Sequence, residues 1–389
     1  MLKSRSLAFF FILCSAAFCG NIPSVEESDC FRKHINSQTQ VVSYILDIPD
    51  FNKNRQSIYF THKSMTDDGR FLLFHGSNDR KRSHKKLYVL DIANKRVSKL
   101  IDSALIPFLD TKTCQVYYMT RDGLYRHDLL KDPEISIKLA DFPADIKKLG
   151  KIRHVCTHLT LTRDRKQVLL DMKINEYYIQ GTLDIPTGKF TIWGKTDFFI
   201  NHGQIHPFRN DLALCAWENL GGKKVKGVYP RLWLLQPGNK RTMIPPKINN
   251  YATHECWSED GKGFYFCSNG VHYHDLATGK QQLIVPMNAA HASMTRDNKY
   301  VTFDCAVGNW YRGCEWKVGF YNRETGKGLY FYPGLAAYNQ AHEPNYLHPD
   351  PHPQFVCNGK YIICTINSGS GNMDLSITPV DQLIKMTSK

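Results

Sequence analysis

The chain has 389 residues, 42% of them hydrophobic and 12% aromatic, enough to build a large core and too apolar for an intrinsically disordered protein. Lysine and arginine number 50 against 36 acidic residues, a formal charge of +14 that favours anionic partners. Twelve cysteines in this length are too sparse for a disulfide scaffold.

The first 20 residues read as a secretory signal. Lys3 and Arg5 give a positive start, and Leu7 to Phe18 is an apolar run too short to span a bilayer. Ser15, Ala16, Ala17 and Gly20 supply small residues near a cleavage point. No later stretch is apolar for long enough to cross a membrane. The mature protein is expected to be secreted, periplasmic or lumenal. At that address an acidic polysaccharide suits the basic charge better than a nucleic acid. Ten cysteines remain beyond the signal, from Cys30 to Cys364. Cys305 and Cys314 are placed to bridge a hairpin, whereas Cys215, Cys267 and Cys364 sit in apolar runs that suit buried thiols.

Residues 21–54 form an N-terminal segment in which Val41–Asp47 (VVSYILD) reads as a strand able to pair with the end of the chain. From 55 to 389 helix signals are nearly absent and one β-rich pattern recurs. Each copy has a polar stretch, a turn of the type x-D-G-K, an apolar strand, a strand ending in Asp or Asn, and a closing strand. The copies begin at THKSMTDDGRFLLF, CQVYYMTRDG, HLTLTRDRKQVLL, IHPFRNDLALC, THECWSEDGKGFYF, AHASMTRDNKYVTF and HPHPQFVCNGKYIIC-like text, where the chain reads HPDPHPQFVCNGKYIIC. Seven copies of roughly 30–50 residues predict an all-β, seven-bladed β-propeller. Two stacked β-domains are the alternative.

In the second half, histidines recur where a blade begins: His206, His254, His291, and the pair His348 and His352. Equivalent blade positions lie at one height around a propeller axis, so these side chains can converge on the central channel. Clustered imidazoles suit a transition metal, and Asn345, three residues before His348, could add an oxygen ligand. Taken singly, each histidine could equally hydrogen-bond the propeller backbone. Arg231, in YPRLWLL, is a candidate for two-pronged carboxylate binding or for an ordinary ion pair. Tyr229 could be a sugar platform or an edge aromatic. No GxSxG elbow, HExxH motif or P-loop is present.

These segments resemble the oligogalacturonate lyases, a family of seven-bladed polysaccharide lyases with a metal in the central channel. The resemblance covers roughly 55–375 and rests on FTHKSMTDDGRFLLF, PRLWLL, THECWSEDGKGFYF, AHASMTRDNKYVTFD and the text around His352. It implies His254 and Arg231 as catalytic, and His291, His348, His352 and Asn345 as metal ligands; His206 and Tyr229 are read beside them as substrate-binding candidates. It implies a divalent metal, manganese first, with zinc or calcium as alternatives. The family reads Gln-x-x-His-Pro-His-Pro. This chain has Asn345 before His348-Pro-Asp350-Pro-His352-Pro, a step that turns one histidine away or brings Asp350 in. The implied activity is β-elimination on a uronic-acid oligo- or polysaccharide such as pectin fragments. Alternatives are an ulvan-type or other uronate lyase, a propeller hydrolase, and a non-catalytic propeller that binds glycan or protein.

Overall fold

In a computed structural model the chain is described over residues 22–49, 51, 53–79, 81–103, 105–156, 158–218, 230–247, 251–307, 315–335, 347, 350–367 and 372–388. The signal-like start, Tyr229, Cys314, Asn345 and His348 lie outside these residues.

The strands form seven antiparallel sheets arranged as the blades of a propeller. The innermost segments, taken in chain order, are Asn54–Gln56, Phe108–Asp110, Thr160–Leu161, Ile200–His206, Thr253–Trp257, His291–Met294 and Gln354–Val356. Each is followed by a second strand that is mostly buried, such as Phe71–Ser77 or Tyr361–Asn367, although Arg209–Trp217 begins with three exposed polar residues. Both faces of these strands are covered because each blade packs against two neighbours, so they read as continuous hydrophobic runs rather than alternating ones. One inter-blade cluster joins Phe320 and Phe331 to Phe355, Ile362 and Cys364. Another joins Leu72, Phe74 and Leu90 to Ile363, Leu375 and Ile377.

The first turn of several blades takes a left-handed residue. Gly69 and Gly261 supply it with φ of +78° and +66°, and Asn298 does so at +59°. These are the Asp-Gly and Asp-Asn steps of the repeat.

The last sheet has five strands, three from residues 354–379 and two from the N-terminal segment. Val42–Leu46 pairs antiparallel with Met373–Pro379, Tyr44 opposite Ile377. A short C-terminal helix, Val380–Thr387, covers this junction with Val380 and Leu383. Its Gln382 side chain donates to the Val42 carbonyl and accepts from the Val42 N–H. The sequence shows no strong sign of this helix, which is two turns long and held by its apolar contacts.

The described cysteines are all free thiols, Cys305 included; its Sγ lies 3.8 Å from the Tyr330 hydroxyl. Among the described residues no helix is long and apolar enough to cross a membrane.

Candidate metal and histidine centre

The repeat sets the frame of the site. Thr66, Thr162, Ser258 and Thr295 open the first turn of their blades, each donating its N–H to the carbonyl five residues on. Their hydroxyls donate to Asp68, Asp164, Asp260 and Asp297. Val356 pairs with Tyr361 in the same frame. In the fourth blade His206 opens a shorter turn, opposite Arg209. Four residues before each of these positions stands a histidine: His62, His158, His202, His254, His291 and His352. The second blade, whose inner segment reads LIPFLDT, contributes none.

These six rings line the axis. Ring centres are 5.2 Å apart for His62 and His158, 4.5 Å for His158 and His202, 4.0 Å for His254 and His291, and 4.4 Å for His291 and His352. Tyr59, from the segment that enters the first blade, stands among them, 4.8 Å from His352 and 5.6 Å from His202. Burial, with Glu255 beside it, pushes the Tyr59 phenol well above its ordinary range.

Three of the rings stand on left-handed backbone, two of them at a break in the strand. His202, His254 and His352 have φ of +52°, +50° and +47°, in the left-handed region that non-glycine residues seldom occupy. The pairing register slips between Asn201 and Gln204, and between Thr253 and Cys256. A bulge of this kind redirects a side chain that strict alternation would send elsewhere.

The chemistry differs around the ring. His291, Asp350 and His352 each offer a ligand atom, and these atoms all lie within 4.8 Å of one another. His352 Nε2 and Asp350 Oδ2 are 3.8 Å apart. Two donors about 2.1 Å from one ion are at most about 4.2 Å apart, so the Asp350–His352 pair already fits a shared cation, and the 4.8 Å span of the three closes to that limit with a shift of about half an ångström. The His291 ring donates through Nδ1 to Asp304, at 3.0 and 3.1 Å.

Next to this triad, His254 donates from Nδ1 to the Ala290 carbonyl at 2.7 Å. A carbonyl only accepts, so the proton of the neutral ring is on Nδ1 and the lone pair is on Nε2. Burial first, then His291 and Arg231, holds this imidazole well below its ordinary pKa.

Arg231 is another charged group acting on His254. Its Nε donates to Glu255 Oε2 at 2.9 Å, Nη1 pairs with Glu218 Oε1 at 3.0 Å, and Nη2 is 3.4 Å from His202 Nδ1. Glu255 is fully buried, which alone would raise its pKa; Arg231 and His202 outweigh burial and bring it to about 2. Arg231 pairs with the carboxylates of Glu218 and Glu255, while those of Asp304 and Asp350 stand beside His291 and His352. That excess of negative charge is what a divalent cation at the triad would offset.

The structure therefore brings together His254, His291, His352 and Arg231. It does not bring His206 to them. His206 Nδ1 accepts from the Phe208 and Arg209 N–H groups, and its Nε2 donates to the Gly261 carbonyl, so it acts as a turn cap. The ring position of the fourth blade belongs to His202. Sequence reading also missed His62, His158, Tyr59, Glu255, Glu218 and Asp304.

No protein-family model matches the chain, and no curated protein does. Among solved structures, an oligogalacturonate lyase from Vibrio parahaemolyticus aligns over 90% of this chain and 96% of its own, with a TM-score of 0.72 and 17% identity. An oligogalacturonate lyase in complex with manganese aligns over 92% and 97%, with a TM-score of 0.73 and 18% identity. The chain thus has the seven-bladed fold of those lyases, the family its sequence motifs resemble.

Proposed function

We propose that this protein is a secreted lyase that cleaves acidic oligosaccharides by β-elimination, with a divalent metal, manganese first, as its cofactor. The observation that carries this reading is the His291–Asp350–His352 group beside a histidine whose tautomer is fixed. The superposable structures are oligogalacturonate lyases, one of them in complex with manganese, which supports it, as does the basic charge. The export address rests on the first 20 residues.

In this reading Asp350 and His352 fill the two positions of the family's His-Pro-His step, because Asp350-Pro351-His352-Pro353 ends in the family's Pro-His-Pro; His348-Pro349-Asp350 is the other pair separated by one proline. The metal set is then His291, Asp350 and His352, with His348 and Asn345 as further donors. The ion would supply positive charge to the substrate's carboxylate, stabilising the enolate-like transition state. His254 takes the proton from the carbon beside that carboxylate through Nε2. The electron pair left behind forms a ring double bond as the bond from the adjacent carbon to the glycosidic oxygen breaks. That oxygen leaves with the departing sugar and takes up one proton, which balances the one held by His254, so the enzyme returns to its starting state when that proton is released. No water is consumed. Arg231 provides fixed positive charge that keeps His254 neutral and helps receive the uronate, with Tyr229 as a further candidate for the sugar.

The test is to mix the protein and Mn²⁺ with a panel of uronate oligosaccharides. The expected result is a new ultraviolet absorbance from unsaturated product, lost with chelator. A hydrolase would release reducing ends without that absorbance, and a binding propeller would retain glycan and make no product.

A further inference from the structure

We propose that Asp304 is the positioning residue of the triad, a single carboxylate that fixes the ring of His291 and the main chain of His352 at once. The proposal rests on the metal reading of His291, Asp350 and His352.

Asp304 stands on the second strand of the sixth blade, Tyr300–Val307, directly opposite His291. Its side chain is 0% exposed. Oδ1 accepts from the His291 N–H at 2.9 Å and from Nδ1–H at 3.0 Å. Oδ2 accepts from the His352 N–H at 3.0 Å and lies 3.1 Å from the same Nδ1. One group thus ties the inner segments of two neighbouring blades, each of which carries a ligand.

Two consequences follow. A proton held on Nδ1 leaves Nε2 as the donor atom of His291, and the charge behind the ring makes it a stronger ligand. The His352 backbone is in the left-handed region, and the bond to Asp304 fixes that main chain where the ring needs it.

The third blade shows the same device in weaker form. Asp171 accepts from the His158 N–H at 3.4 Å and from the Gly203 N–H of the next blade at 3.5 Å. The bridge therefore recurs in two blades, the third and the sixth. At Asp304 it is shorter and includes the ligand ring.

The decisive substitution is Asp304→Asn. Both oxygens of Asp304 face N–H donors, whereas an amide offers one oxygen and one NH₂. The variant sets donor against donor and loses either the ring or the main-chain contact. The measurement is Mn²⁺ binding by calorimetry and by the electron paramagnetic resonance spectrum of the bound ion. We expect roughly 10–100-fold weaker binding and an altered spectrum for folded Asp304→Asn. Wild-type affinity in the folded variant would overturn the proposal. If the wild-type protein binds no Mn²⁺, the metal reading itself fails, a separate outcome. Should the variant not fold, a crystal structure of the native protein soaked in Mn²⁺ decides. His291 Nε2 on the ion with Nδ1 on Asp304 supports the proposal, and His291 Nδ1 or Asp304 itself on the ion overturns it.

Discussion

His62 and His291 occupy the same place in two blades and have opposite uses of their rings. His62 donates from Nε2 to the Leu159 carbonyl and accepts at Nδ1 from the Thr61 hydroxyl, so the protein engages both nitrogens. His291 gives Nδ1 to a carboxylate and directs its other nitrogen to a group of ligand atoms. The ring thus divides into an arc over the fifth to seventh blades with candidate chemistry, and an arc over the first, third and fourth that includes a purely structural member. Position around the axis brings the imidazoles together, and the atom behind each one decides what it does.

The division breaks or sharpens under substitution. The largest effect is expected at His254. Changing it to Ala should lower formation of unsaturated product by about 10²–10⁴-fold while Mn²⁺ binding persists; full activity would remove it as the base. Next, Asp350→Ala or His352→Ala should abolish stoichiometric Mn²⁺ retention on gel filtration, whereas His62→Gln should retain it. Equal loss in both arcs would erase the distinction.

The pH profile gives a third test. His254 works as a base only when neutral, and its pKa is held below the ordinary 6.5. Activity per free enzyme should therefore be flat through neutrality and fall only below pH 6.5. An acid limb centred above 6.5 contradicts the assignment.

The smallest effect belongs to His62. Its two hydrogen bonds and burial predict that Ala in its place costs about 1–3 kcal/mol, read by denaturant melts. Burial, partly opposed by the bond to Leu159, brings its pKa from 6.5 to about 4. The unfolded chain takes up this proton first, so the His62 contribution declines as pH drops from 6.5 toward 4. His62→Gln should flatten that part of the stability profile.

Much of the fold was readable because a propeller blade is a local unit with its own turn chemistry. Asp68-Gly69, Asp260-Gly261 and Asp297-Asn298 mark the same turn, and the buried second strands follow at fixed distance. The site was only half readable. His254, His291 and His352 emerge from their place before the turn. In the fourth blade attention falls on His206, which is near the turn because it forms it, and the ring residue His202 is four places earlier. Counting back from Thr66 and Thr162 in the same way finds His62 and His158. Asp304 and Glu255 carry no such signal. They matter through pairings with neighbouring strands and blades, and Asp304 sits in an otherwise apolar strand.

The seventh blade is shared by the two ends of the chain. Ser43 and Thr378, 335 positions apart, hydrogen-bond side chain to side chain at 2.8 Å. At a synthesis rate of about 5–20 residues per second, the partner of the first strands emerges roughly 20–70 s after them. For that interval Val42–Leu46 has no sheet to join, and the blade that carries His352 cannot be completed. A fragment lacking either end would hold most of the histidines and no closed circle to aim them, so the site belongs to the finished molecule rather than to any segment of it.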